Sequence, residues 1–125
     1  MLTTYSELLK NYNPNVPTAL QLPQEHMADT VKIADETFEM TIKLNGDIVT
    51  EIDLVVNDDA VEGGSFYAAW VGGFESGMGW ESNNYYNAMM ATLQDHGSHT
   101  GINRLGIVVV HSWFNGRVHI NVTKK

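Results

Sequence analysis

Several clusters in this chain combine residue types that do chemistry. Asp95, His96 and His99, in the stretch DHGSHTG, bring a carboxylate and two imidazoles together, a set that suits a zinc ion or a general base. Ser98, His99 and Asp95 supply the types of a hydrolytic triad, but nothing around them resembles a nucleophile elbow. Gly77-Met78-Gly79-Trp80-Glu81-Ser82 approaches the G-x-G-x-x-G spacing that seats a pyrophosphate on a helix N-terminus. Asp58, Asp59 and Glu62 are oxygen donors of the kind calcium takes, without EF-hand spacing.

Each chemical reading meets a physical objection. Glu75 and Glu81 flank the glycines with no Lys or Arg nearby, so a phosphate would be repelled, and the Gly-Lys-Ser/Thr ending of a Walker A loop is missing. A His-x-x-His pair in a loop has no regular element to fix its geometry. His111 sits at an apolar strand position and reads as a core histidine. The expectation is a non-enzymatic protein with no catalytic residue, no cofactor and no metal. A ligand- or metal-binding enzyme with a site near the 72–82 and 95–101 loops is the alternative.

Charge points elsewhere. The 125 residues carry a formal net charge of −8. From Glu25 to Glu81 there are thirteen acids against Lys32 and Lys43 alone, a local balance of −11. The remainder holds Glu7 and Asp95 against Lys10, Arg104, Arg117, Lys124 and Lys125, a balance of +3. Such a field repels nucleic acid and anionic membranes and attracts a basic protein surface. With no cysteine, there are no disulfides or thiolate metal sites. MLTTYSELLKNYNPNV lacks a basic segment followed by an apolar one, so no secretory signal is read and a cytoplasmic location is expected.

The elements that must position these residues are legible in part. Thr4-Tyr5-Ser6-Glu7 reads as a capping box opening a helix with Tyr5, Leu8, Leu9 and Tyr12 on one stripe, ended by Pro14. Residues 13–30 hold all three prolines and read as a surface connection that tucks in Leu20 and Leu22. Phe38, Met40, Ile42 and Leu44 alternate with polar residues, the mark of a half-buried strand. A three-residue loop, Asn45-Gly46-Asp47, with a bulge would pair Leu44 with Ile48, Met40 with Ile52 and Phe38 with Leu54. That register sets Glu39 across from Asp53 with Glu51 diagonal to it, an uncompensated repulsion that a cationic partner would relieve.

Ser65 to Val71 reads as a third strand between glycine pairs. Ser82 is a candidate N-cap for a helix with Tyr86, Met89, Met90 and Leu93 inward, ending near Gly97. Asn115-Gly116 is a two-residue turn pairing Phe114 with Arg117, Trp113 with Val118, His111 with Ile120 and Val109 with Val122.

The fold expected is therefore α+β in a single domain, 1–125: a mainly antiparallel sheet of two hairpins plus a middle strand, packed against one central helix and a short N-terminal helix. The function expected is that of an acidic nucleic-acid mimic blocking the basic surface of a nucleic-acid-binding protein or nuclease. Phage-encoded anti-defence (anti-CRISPR) inhibitors and toxin-immunity proteins act in this way. Its partner-binding residues would be Glu39, Glu51, Asp53, Asp58, Asp59 and Glu62, with Phe74 and Trp80 as aromatic anchors. Direct nucleic-acid or membrane binding is not expected. A homodimer, or a self-associating phage assembly subunit joined through a hairpin edge, is a further alternative.

Overall fold

The computed structural model describes residues 1–26, 28–62, 65–80 and 83–125, the side chains of Glu62, Ser65 and Asn83 excepted. The chain opens with a two-residue strand, β1 (Thr3–Thr4), and a helical turn, α1 (Tyr5–Glu7). A π-helical turn, Leu8–Tyr12, and a 3-10 turn, Asn13–Asn15, continue it. Three strands follow: β2 (Thr30–Ala34), β3 (Phe38–Asn45) and β4 (Ile48–Asn57). Next come α2 (Asp58–Glu62), α3 (Ser65–Gly72) with a π-helical extension, Gly73–Gly77, and α4 (Asn83–Asp95). The strands β5 (His99–Ile102), β6 (Ile107–Phe114) and β7 (Arg117–Lys124) complete the sheet.

The result is α+β, with one mainly antiparallel seven-stranded sheet in the order β2-β3-β4-β7-β6-β5 and β1 beside β4. The helices cover one face, which receives Phe38, Met40, Ile42, Ile52, Leu54, Val56, Val109, Val118, Ile120 and Val122, all buried. Among the described residues nothing covers the other face. No helix of the described residues is long and apolar enough to cross a membrane.

The final hairpin has the expected register throughout, and Asn115 (φ 52°) and Gly116 (φ 78°) both take the left-handed backbone that its tight turn demands. The N-terminal helical segment forms with Tyr5, Leu8 and Tyr12 buried, though Pro14, expected to end it, sits inside the 3-10 turn that carries it on to Asn15. Its capping box is half made. Thr4 Oγ1 accepts from the Glu7 N–H at 3.2 Å, while the Glu7 carboxylate turns forward to accept from Asn11 Nδ2 at 2.7 Å. Leu20 and Leu22 are buried, and the connection is stitched down by Tyr12 Oη donating to Leu20 O and by Asn13, which donates to and accepts from the Leu22 backbone.

Three expectations are corrected. Residues 65–71 form a helix, not the middle strand of the sheet: Tyr67, Trp70 and Phe74, spaced three and four apart, are the buried stripe of α3 and its extension. The β3–β4 turn is Gly46-Asp47, with Asn45 opposite Ile48 and Leu44 opposite Val49. A bulge between Lys43 and Leu44 then shifts the register, so Met40 faces Leu54 and Phe38 faces Val56. The extra residue reverses the strand's inward parity, which buries Val49 and leaves Ile48 exposed. Finally, α4 buries Tyr85, Ala88, Met89 and Thr92, while Tyr86 and Met90 face solvent. It ends at Asp95, with His96 in the left-handed region (φ 57°) where Gly97 was expected to stop it. The N-cap reading of Ser82 lies outside the described residues.

Two glycines of the 72–79 stretch have a packing reason. A Cβ on Gly73 would lie 2.5 Å from Val16 Cγ1 and 2.6 Å from Tyr12 Cδ2, and one on Gly77 would overlap the Asn11 carbonyl. These two glycines, four apart on one face, let the α3 extension sit directly on the N-terminal helical segment. They serve helix packing.

Candidate partner-binding surface

The register of β3 and β4 decides what the acidic residues of the hairpin do. Glu39 lies opposite Val55, Thr41 opposite Asp53, and Lys43 opposite Glu51. The expected Glu39–Asp53 opposition is absent. Lys43 Nζ instead reaches Glu51 at 2.6 Å and Asp53 at 3.4 Å, and Lys32 Nζ lies 3.3 Å from Glu39. Asn121 Nδ2 also donates to Asp53 at 2.7 Å. The Lys43 hydrogen bond holds the Glu51 carboxyl below the ordinary carboxylate range and raises the ammonium in turn. On this open face Lys32, Lys43 and Arg117 stand against Glu39, Glu51 and Asp53, three charges of each sign. Uncompensated repulsion across the strands is therefore not present, because an internal lysine meets each of the three carboxylates.

Phe74 and Trp80 are likewise not presented to a partner. Both are 6% exposed, and their rings stack at 5.3 Å with an interplanar angle of 7°. Phe74 also packs edge-on against Trp70 and leans on Tyr12. A cavity of about 20 Å³ beside them, shared with Tyr67 and Tyr85, has room for no more than a water.

Four further carboxylates, Asp35, Glu36, Asp58 and Asp59, lie at the other end of the same strands. The β2–β3 turn carries Asp35 and Glu36, both exposed, and is closed by Asp35 Oδ1 accepting from the backbone N–H of Thr37 and Phe38. The end of β4 is held beside it: the Asn57 N–H donates to Thr37 O at 3.0 Å, and the Asp58 N–H donates to Gly116 O at 2.9 Å. These bonds place Asp58 and Asp59 at the same end of the sheet as Asp35, Glu36 and Glu39. Asp58 accepts from Trp113 Nε1 at 3.0 Å, and Asp59 is exposed. Glu62 closes the same short helix; its side chain lies outside the described residues. A cleft of about 130 Å³ runs between Asp35, Glu36, Glu39, Asn57 and Arg117.

Asp35 and Glu36 were missed in the sequence because β2 was not read as a strand. Val31 and Ile33 alternate with Thr30, Lys32 and Ala34, a five-residue signal just ahead of the stronger one, and its recognition would have turned Asp35-Glu36-Thr37 into a hairpin tip.

The chemistry-bearing residues around α4 fall into separate pairs. His99 Nε2 lies 2.8 and 2.9 Å from the Asp95 carboxylate, whose pKa that contact lowers. His111 is fully buried; its Nε2 is 3.0 Å from Tyr67 Oη, its Nδ1 has no partner among the described residues, and burial pushes the imidazole down to about 4. Tyr67 Oη also donates to Tyr85 O at 3.3 Å, and burial, with Glu75 nearby, raises the pKa of both tyrosines. Ser98 pairs with Ser112 at 3.3 Å, and His96 stacks on Trp113 at 3.8 Å. His96 and His99 lie at the C-terminal end of α4, about 18 Å from the end that the glycine stretch enters. Among the described residues no three His, Asp or Glu side chains converge on a metal position. In comparisons with known proteins, the chain matches no family model, no curated protein and no solved structure.

Proposed function

We propose that this chain is a non-enzymatic binding protein that offers the acidic end of its sheet to a basic protein surface. The supporting observation is the gathering of Asp35, Glu36, Glu39, Asp58 and Asp59 around two adjoining chain turns, with Lys32 and Arg117 as the neighbouring cations. Five carboxylates against two cations leave this end at −3, while on the adjoining sheet face Lys43 stands against Glu51 and Asp53, a balance of −1. Negative charge gathered at this end draws an approaching cationic surface toward it and raises the association rate.

The basic surfaces that fit are those built to hold phosphates, so the partner is a nucleic-acid-binding protein or nuclease, and binding would block its groove. That mode of action is the one used by phage-encoded anti-defence inhibitors and toxin-immunity proteins. The hairpin carboxylates Glu51 and Asp53, satisfied by Lys43, contribute little, and Phe74 and Trp80 act in the core.

The test is capture from lysate by the immobilised chain at low and high salt, with retained proteins identified by mass. The reading expects basic nucleic-acid-binding proteins that elute as salt rises. They should be lost from a variant carrying Asp35→Asn, Glu36→Gln, Asp58→Asn and Asp59→Asn, yet kept by Glu51→Gln with Asp53→Asn. Equal retention by both variants would overturn it.

A further inference from the structure

We propose that β5 is the edge along which two copies of this chain pair, antiparallel and two-fold symmetric, joining their sheets into one and setting their α4 helices side by side on the same face. This stands independently of the acidic end, which is built from the β2–β3 turn and the end of β4 and shares no residue with β5 or α4.

The backbone of β5 supplies the first argument. The Asn103 N–H donates to Ile107 O at 3.1 Å, which sets the phase of the β5–β6 ladder. With Gly101 opposite Val109 and Thr100 opposite Val110, the polar backbone groups of His99 and Gly101 turn toward β6. Those of Thr100 and Ile102 turn to the open edge. The Ile102 carbonyl confirms the phase, for it accepts from Asn84 Nδ2 of α4 at 2.9 Å, away from β6. The Thr100 N–H and C=O and the Ile102 N–H remain directed outward. Placed on a two-fold axis, Thr100 of one copy faces Thr100 of the other, and each N–H meets the other's carbonyl. An antiparallel edge is self-complementary in this way without further adjustment.

Charge supplies the second argument and selects the occupant. Two molecules at −8 repel each other, so a self-contact must fall where the surface carries no charge. The groove along this edge, about 490 Å³, is lined by Asn84, Asn87, Ala88, Ala91 and residues 99–102, with no Asp, Glu, Lys or Arg among them. The helix α4 has no charged residue before Asp95, which His99 already engages. Its outward side carries Met90 at 45% exposure in place of the usual Lys and Glu. Ala88 and Ala91 keep the groove open enough for a neighbouring chain, and Gly101 lets α4 lie close, since a Cβ there would sit 2.8 Å from Asn84 O. A charged partner gains nothing on such a surface; a second copy loses nothing.

The opposite edge shows the contrast. On β2, exposed Lys32 points from the edge strand, and Asp29 and Asp35 flank it, the ordinary means of discouraging edge pairing. The β5 edge carries no such protection.

Sedimentation equilibrium of the full chain across micromolar concentrations tests the proposal. It predicts a reversible species of twice the 13.9 kDa chain mass, undiminished as salt is raised because screening relieves mutual repulsion. Thr100→Pro removes an outward donor without touching the β5–β6 ladder, and Ala91→Glu places a carboxylate on each of the facing helices. Each should raise the dissociation constant by about tenfold or more, at unchanged melting temperature. Thr30→Pro, on the β2 edge, should leave association intact. A chain that stays at 13.9 kDa at the highest concentration overturns the proposal, as does a dimer that survives both β5-side variants or is lost with Thr30→Pro.

Discussion

Three neighbouring glycines should respond to the same substitution with opposite signs. Gly72 has nothing within 4 Å of where its Cβ would stand and has helical backbone, so Gly72→Ala gains the intrinsic helix preference, about 1 kcal/mol. Gly73→Ala gains the same preference but drives a methyl into Val16 and Tyr12, two buried side chains, at 2.5 and 2.6 Å. Overpacking of this kind costs about 1–3 kcal/mol, so the net change is a loss of up to about 2 kcal/mol. Gly77→Ala meets the backbone of Asn11, with the carbonyl carbon at 2.9 Å, and a backbone cannot rotate aside as a side chain can. Its loss should be the largest, about 3 kcal/mol. For a chain of this size each kcal/mol moves the melting temperature by about 3–5 °C. Urea unfolding followed by fluorescence of the buried Trp70 and Trp80 reads all three variants in one assay. If Gly73→Ala and Gly77→Ala match or exceed the wild type, the two helical segments do not pack as described. A loss for Gly72→Ala equal to theirs would point to backbone flexibility as the cause.

Other consequences follow from the buried and paired groups. His111 titrates near 4 when folded and near 6.5 when unfolded, so the unfolded state takes up the proton first as pH falls. Stability is intact above pH 6.5 and should drop by about 3 kcal/mol as pH falls toward 4; His111→Gln should flatten that window in urea midpoints measured from pH 7.5 to 4.5. Tyr67→Phe leaves the ring packed but removes the hydroxyl between His111 and Tyr85 O, which should cost about 1–3 kcal/mol in the same assay. Lys43→Met should raise the Glu51 pKa toward the ordinary carboxylate value, seen by NMR titration of the side-chain carboxyl, because the ammonium hydrogen bond is its largest stabiliser.

What could be read in the sequence divides by how local the signal is. The Asn115-Gly116 turn and the alternation of its flanking strands carry their register in adjacent residues, and both the pairs and the outward Ser112, His119, Asn121 and Thr123 follow from it. The β3–β4 register depends on one bulged residue whose position no propensity marks, and a shift of that size moved Asp53 from Glu39 to Thr41. With it went the argument for a repelling acidic face. The stretch 65–74 misled because aromatic residues suggest a strand, while the spacing of Tyr67, Trp70 and Phe74 is that of a helix. Burial of Phe74 depends on Tyr12 docking from far away in sequence, and Trp80 is buried by stacking on Phe74, contacts which no window of residues contains. The short strands β2 and β5 are fixed by pairing with stronger neighbours, and they carry both the missed carboxylates Asp35 and Glu36 at one edge and the uncharged edge at the other.

The acidic end can be tested without knowing the natural partner, by titrating the isotope-labelled chain with an arginine-rich peptide and following backbone amide shifts. The account predicts movements concentrated on residues 35–39 and 57–59 that disappear when salt is raised or when Asp35, Glu36, Asp58 and Asp59 are neutralised. Shifts centred instead on Glu51 and Asp53, or spread evenly over every exposed carboxylate, would contradict it.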